Sequence, residues 1–134
     1  MQIQPPSPNE SETLGPAVIV LNKDLFFGVT IANTVRALGY TPIAARSTTA
    51  LASALSVTQE PALVVIDIAA VDDWDALGTI VAETPELPCI AFGSHTNVEG
   101  LRSAKRAGLT RVFSNGEFHR TMGDAITRYA RPTG

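Results

Sequence analysis

Five short apolar runs, each followed by a stretch with helical periodicity, constrain this chain more than any other feature. They read PAVIVL (16–21), TPIAA (41–45), ALVVID (62–67), PCIAF (88–92) and TRVFS (110–114). Each has the length of a strand, and most are near-continuous apolar stretches, the pattern of strands buried on both faces. Between them the apolar residues step by three and four. Leu25, Val29, Ala32, Val35 and Leu38 mark the stripe of the first helix, and Phe118, Met122, Ala125 and Tyr129 that of the last. Asp24, Ser47, either Asp72 or Asp73, and Asn97 precede the first four helices as caps, while Gly39 and Gly108 follow the first and fourth as stops. Alternating strands and helices of this kind predict a doubly wound α/β sandwich. Its five-stranded parallel sheet is covered by helices on both faces and joined by right-handed crossovers.

A chain of 134 residues with 45% hydrophobic and 17% charged residues supplies one compact domain with an ordinary core. Residues 16–131 are assigned to that domain; residues 1–15 read as a disordered leader containing Pro and Ser, and 132–134 as a tail. No apolar run reaches the length of a membrane span, and MQIQPPSPNESETLG lacks the basic and apolar regions of a signal peptide. Cys89 is the single cysteine, so no intramolecular disulfide forms and a thiolate metal cluster is not expected. The expected location is the reducing cytoplasm, without membrane contact.

In an open α/β sheet, ligands and chemistry gather outside the carboxyl ends of the strands, near the point where strand order reverses. That rule collects Asn22, Lys23 and Asp24 after the first strand, Asp67 at the end of the third, Gly93 and Ser94 after the fourth, and Ser114 and Asn115 after the fifth. Asp67 is central to the set. An apolar strand that ends on a lone carboxylate must have it paired or solvated.

PALVVIDIAAVDDWDAL, followed by LPCIAFGSHTNVEGLRSAKRAGLTRVFSNGEF, resembles the response-regulator receiver (CheY-like) family, and the resemblance covers about residues 16–130. It implies a flavodoxin-like (βα)5 sandwich with strand order 2-1-3-4-5, and a signalling role in a two-component system. Asp67 falls on the family's phosphoacceptor. The acidic pair that holds Mg²⁺ falls on Asn22 and Lys23, the hydroxyl after strand four on Gly93 with Ser94 beside it, and the lysine after strand five on Asn115. The proline after that lysine is Gly116, and the aromatic switch position on strand five is Val112.

The nucleophile is thus retained without its electrostatic support. Attack on a phosphoryl group needs a divalent cation and positive charge around the equatorial oxygens. Asn22 offers only a neutral oxygen, and Lys23 places an ammonium where the cation belongs. Mg²⁺ is therefore not expected as a cofactor, and the resemblance is to a degenerate, pseudo-receiver member. Asp24 either caps the first helix or swings toward the pocket, with capping preferred. Lys23 has two readings of equal weight, an ion pair with Asp67 or a side chain directed to solvent.

The net charge of −3 hides an asymmetry, with three basic residues against eleven acidic in residues 1–101 and seven against two in 102–134. Arg102, Lys105 and Arg106 fall on the fourth helix, Arg111 on strand five, and Arg120, Arg128 and Arg131 on or after the fifth helix. By resemblance this is the face used for output partners and for homodimers through helix 4, strand 5 and helix 5. It suits an acidic protein patch or a phosphate-bearing ligand. Nucleic acid is disfavoured, since no reading helix or aromatic ladder accompanies the charge.

Other motifs read as structure. DDWD is a set of caps and macrodipole partners over a packed Trp74. His95 and His119 lack ligand companions and read as surface histidines. FGSHTN and SNGEF are turns without a phosphate fingerprint, and no hydrolytic triad is present. The expectation is a stand-alone signalling module, not an enzyme, that binds a protein partner. The alternatives are a genuine phosphoacceptor using Asp67, and a flavodoxin-like domain that binds a small ligand or nucleotide in the strand-end crevice.

Overall fold

The computed structural model describes residues 16–132. The expected leader, residues 1–15, and residues 133–134 of the tail lie outside them. Within that span are β1 (Ala17–Leu21), α1 (Leu25–Ala37), β2 (Thr41–Ala45), α2 (Thr48–Val57) and β3 (Pro61–Asp67). There follow a 3₁₀ turn (Ile68–Ala70), α3 (Trp74–Glu83), β4 (Cys89–Gly93), α4 (Val98–Arg106), β5 (Arg111–Ser114) and α5 (Asn115–Tyr129). The strands form one parallel sheet in the order 2-1-3-4-5. All five apolar runs became strands, with ends within one residue of those expected.

Alternate residues of the three central strands feed two separate cores. Val18, Val20, Leu63, Val65, Ile90 and Phe92 pack under α1 and α5. Ile19, Leu21, Val64, Ile66, Cys89 and Ala91 pack under α2, α3 and α4. Because β1, β3 and β4 are covered on both faces, no polar residue interrupts them, which is why the text runs apolar without alternation. Burial pushes the Cys89 thiol up to about 12, so it stays a neutral packing residue.

The caps fall where the sequence placed them. Asp24 Oδ1 accepts from the amides of Phe26 and Phe27 at 2.9 and 3.2 Å, and Ser47 Oγ from Ala50 at 3.0 Å. Asp73 caps α3 through the amide of Ala76, at 2.9 Å. Asp72 turns away and accepts from the amide of Thr48 at the start of α2, which ties the β3–α3 loop to its neighbour. Gly39 and Gly108 have φ of 90° and 86°, the left-handed stop that only glycine adopts without cost.

One expectation fails. The stripe Leu25, Val29, Ala32, Val35 and Leu38 is not the packed face of α1, since Ile31 and Val35 are its buried residues and Leu25, Val29 and Leu38 are exposed. The packed row is Phe27, Ile31 and Val35, centred about a third of a turn around the helix from Leu25 and sharing only Val35 with the expected stripe. The sequence LFFGVTIANTVRA is apolar on both sides, so periodicity alone selected the wrong one.

Candidate functional site

Strand register sets the site. Leu21 pairs with Ile66 and Asp67 with Phe92, which brings the carboxyl ends of β1, β3 and β4 level and opens a cleft above them. The cleft measures about 380 Å³ and is lined by Lys23, Asp24, Phe27, Asp67, Ala69, Ala70, Phe92 and Asn115. Lys23, Asp24, Asp67 and Asn115 are therefore brought together, as their strand-end positions required.

Asp67 is half buried, and its Oδ1 accepts from the amide of Ala69 at 3.0 Å, capping the 3₁₀ turn. Burial is the largest influence on its carboxyl and raises its pKa above the ordinary 3.8; the Ala69 amide opposes this, the Asp24 charge adds to it, and His119 opposes it. Lys23 is absent from that balance. It is exposed and forms no ion pair with Asp67 among the described residues, whose ion pairs are Arg102–Glu99 and Arg111–Glu117. The field of Lys23 falls on Asp72, whose carboxyl is lowered chiefly by the Thr48 amide and last by Lys23. Of the two readings of Lys23, the solvent-facing one is observed.

Four expected members stand outside the cleft, among them Ser114, whose Oγ accepts from the Glu117 amide at 3.2 Å and caps α5. The Asn22 carboxamide turns back on its own loop, donating to the Asp24 carbonyl at 2.6 Å and accepting from the Asp24 amide at 3.2 Å. It faces instead a small groove between α1 and β2, beside Gly28. Ser94 does not substitute for a hydroxyl at Gly93, because its Oγ pairs with Thr96 Oγ1 at 2.8 Å and accepts from the Thr96 amide at 3.2 Å.

Gly93 itself is filled from the side. A Cβ there would lie 3.0 Å from Ile68 Cδ1 and 3.1 Å from Ile68 Cβ, and a Cβ at Gly100 would lie 2.7 Å from Ile68 Cγ2. Ile68, 3% exposed, is thus wedged between two glycines, one ending β4 and one in the first turn of α4. A side chain added at Gly93 would therefore press on Ile68, which would have to give by a few tenths of an ångström.

His119 was missed by the sequence reading, which left it on the surface. It is partly buried, its ring is stacked on Phe27 with centroids 4.2 Å apart, and its Nε2 is buried without a hydrogen-bond partner among the described residues. The signal was available: His119 follows Asn115 by four residues, so a helix that aims one toward the cleft aims the other along the same face. His95 is exposed, as expected.

The basic residues of the C-terminal third do not form one patch. Arg111 is held by Glu117 at 2.9 Å, by the Tyr129 hydroxyl at 3.3 Å, and over the Phe113 ring at 4.3 Å. Arg131 donates to the Pro61 carbonyl at 2.9 Å at the far end of the sheet. Arg106 lines a groove between α3 and α4 with Trp74 and Asp75, Arg102 lies near Glu99, and Arg128 sits over Tyr129. Lys105 and Arg120 are exposed, on α4 and α5.

No protein-family model and no curated protein matches the chain. Solved structures do. NtrX from Brucella abortus in complex with ATP superposes with a TM-score of 0.69 at 22% identity, over 86% of this chain and 26% of that one, so this chain spans about a quarter of NtrX. The signal receiver domain of an HD domain-containing protein from Pseudomonas fluorescens Pf-5 gives 0.69 at 17% identity, over 86% and 97% of the two chains. The Mn²⁺-bound response regulator Rcp1 gives 0.71 at 8% identity, over 89% and 97%. The fold is that of receiver domains, with α2, α3 and α4 on one side of the sheet and α1 and α5 on the other. Among the described residues no helix is long and apolar enough to cross a membrane.

Proposed function

We propose that this chain is a receiver-fold signalling module that acts by association with other proteins, and that Asp67 does not pass through the Mg²⁺-dependent phosphorylation cycle. The observation that carries this reading is Gly93, which offers no hydroxyl where the family has one, with Ile68 only 3.0–3.1 Å from where its Cβ would stand. The rest of the cleft agrees with it. The residues present do not suit Mg²⁺, a cation that demands several well-placed oxygens. Asp24 Oδ1 is committed to the first amides of α1, the Asn22 carboxamide is committed to its own loop, and Lys23 stands on the rim. Asn115, which lines the cleft where the family has lysine, supplies no positive charge to a transferred phosphoryl group.

Such a cleft keeps the outline of a phosphoacceptor site and offers a fixed surface. Receiver folds convey signals through contacts, and the exposed basic side chains Arg102, Lys105, Arg106 and Arg120 give this one a means of meeting an acidic protein surface. The test is incubation with acetyl phosphate, or with beryllofluoride, in the presence of Mg²⁺, read by intact mass and by fluorine resonance. No adduct is expected. A modification that disappears in Asp67→Asn would overturn the proposal.

A further inference from the structure

The charge asymmetry of the sequence falls, in the fold, on two neighbouring helices. No lysine or arginine lies between Arg46 and Arg102. On α3 the charged residues are Asp75 and Glu83, both acidic and both exposed. On α4 the exposed Arg102, Lys105 and Arg106 stand against a single acid, Glu99, which lies 4.0 Å from Arg102. The two helices flank one open groove of about 350 Å³, with Asp75 on one wall and Arg106 on the other. Among the described residues no ion pair crosses it. The groove also holds the small residues Gly78, Ala82 and Ala107 and the half-buried Trp74, so another surface could approach closely. Both helices follow strands of one parallel sheet and therefore run side by side in the same direction. An acidic ridge and a basic ridge thus stand next to each other, each unneutralised by the other.

We infer that this face binds a second copy of the chain, in a two-fold contact that lays the acidic α3 of each on the basic α4 of the other. A two-fold axis along the groove, parallel to both helices, exchanges the two ridges and preserves their direction. Asp75 then faces the partner's Arg102, and Glu83 faces the partner's Lys105 and Arg106. An axis across the helices would set acid on acid and base on base, which repulsion disfavours. Helices of nine and ten residues are only about 15 Å long, so the contact is at the small end of specific interfaces and its charges decide its strength. It differs from the homodimer that resemblance implied, because α3 takes the place of β5 and α5. The inference rests on the reading that the protein acts by association, and it identifies the acidic surface that the basic residues of α4 meet. The Asp67 adduct assay reads the proposed function separately, so either can fail alone.

Sedimentation velocity on the full chain, from about 5 to about 500 µM, covers the dissociation constant of a weak dimer. Wild type is expected to shift from monomer toward dimer in about 20 mM NaCl, and its affinity to fall about tenfold or more in about 500 mM NaCl as the charges are screened. Asp75→Lys/Glu83→Lys and Arg102→Glu/Lys105→Glu/Arg106→Glu should each be monomeric with unchanged circular dichroism, since every side chain altered is exposed. Mixed in equal amounts, the two variants should form a heterodimer, because the basic α3 of one meets the acidic α4 of the other. The neutral Asp75→Asn/Glu83→Gln should weaken the wild-type dimer without perturbing the fold. A monomer at every concentration and salt overturns the inference. So does a dimer that survives either reversal, or a mixture of the two variants that stays monomeric.

Discussion

If Ile68 occupies the place of a hydroxyl, restoring that hydroxyl should strain the fold, and removing Ile68 should relieve the strain. Gly93→Thr puts a Cβ at 3.0 and 3.1 Å from Ile68 Cδ1 and Cβ, tighter than most side-chain carbons settle, so Ile68 must give by a few tenths of an ångström, and Gly93 is buried. Overpacking of that kind costs about 1–3 kcal/mol. Ile68→Ala removes a side chain from a site 3% exposed, and the cavity costs about 2–5 kcal/mol. In the double variant the threonine side chain enters part of the vacated volume, so the two losses should fall short of their sum by about 1–2 kcal/mol. Urea unfolding followed through Trp74, the single tryptophan, gives the four free energies. Losses additive within about 0.5 kcal/mol would refute the reasoning, because additivity is the behaviour of residues that do not touch.

Two further measurements bear on the cleft. Asp67 has a folded pKa above 3.8, so the native state binds its proton more readily than the unfolded chain; stability falls as pH rises from 3.8 through the folded value, and the penalty persists above it. Asp67→Asn should therefore raise the melting temperature at pH 7, with the gain vanishing below pH 3.8; a variant less stable at pH 7 would contradict this. Lys23→Asp with Asn115→Lys should give tighter Mg²⁺ binding by titration calorimetry than wild type, since it adds a carboxylate to a cleft already lined by Asp24 and Asp67. Equal affinities would show that Ile68, and not the missing charges, governs the site.

The strands were legible because β1, β3 and β4 are covered on both faces, which leaves an unbroken apolar text bounded by caps and glycine stops; their order came from the resemblance to receivers. Capping was legible for the same local reason: Asp24, Ser47, Asp73 and Asn97 each bond an amide within three residues. The Asp72 contact with α2 spans 24 residues and left no local trace. The packed side of α1 could not be read from a helix with apolar residues on both sides. In the cleft, topology predicted which backbone positions converge, but not which side chains would use them. Asn22 and Ser94 had nearer partners in their own loops, and Ile68 reached a position that no motif assigns to it.

The chain enters and leaves the sheet at one spot. The Pro16 carbonyl accepts from the Thr41 amide, and the Ala17 amide donates to the Glu60 carbonyl. Next door, Arg131 donates from its amide to the Ala62 carbonyl and from its side chain to that of Pro61. Both ends of the described span are thus stitched beside the first residues of β3, a full strand length from Asp67. A short bridge between them would make a circular permutant with the sheet intact. By the same geometry the chain passes Pro16 and Arg131 at the floor of the molecule, at the opposite end of the sheet from the cleft.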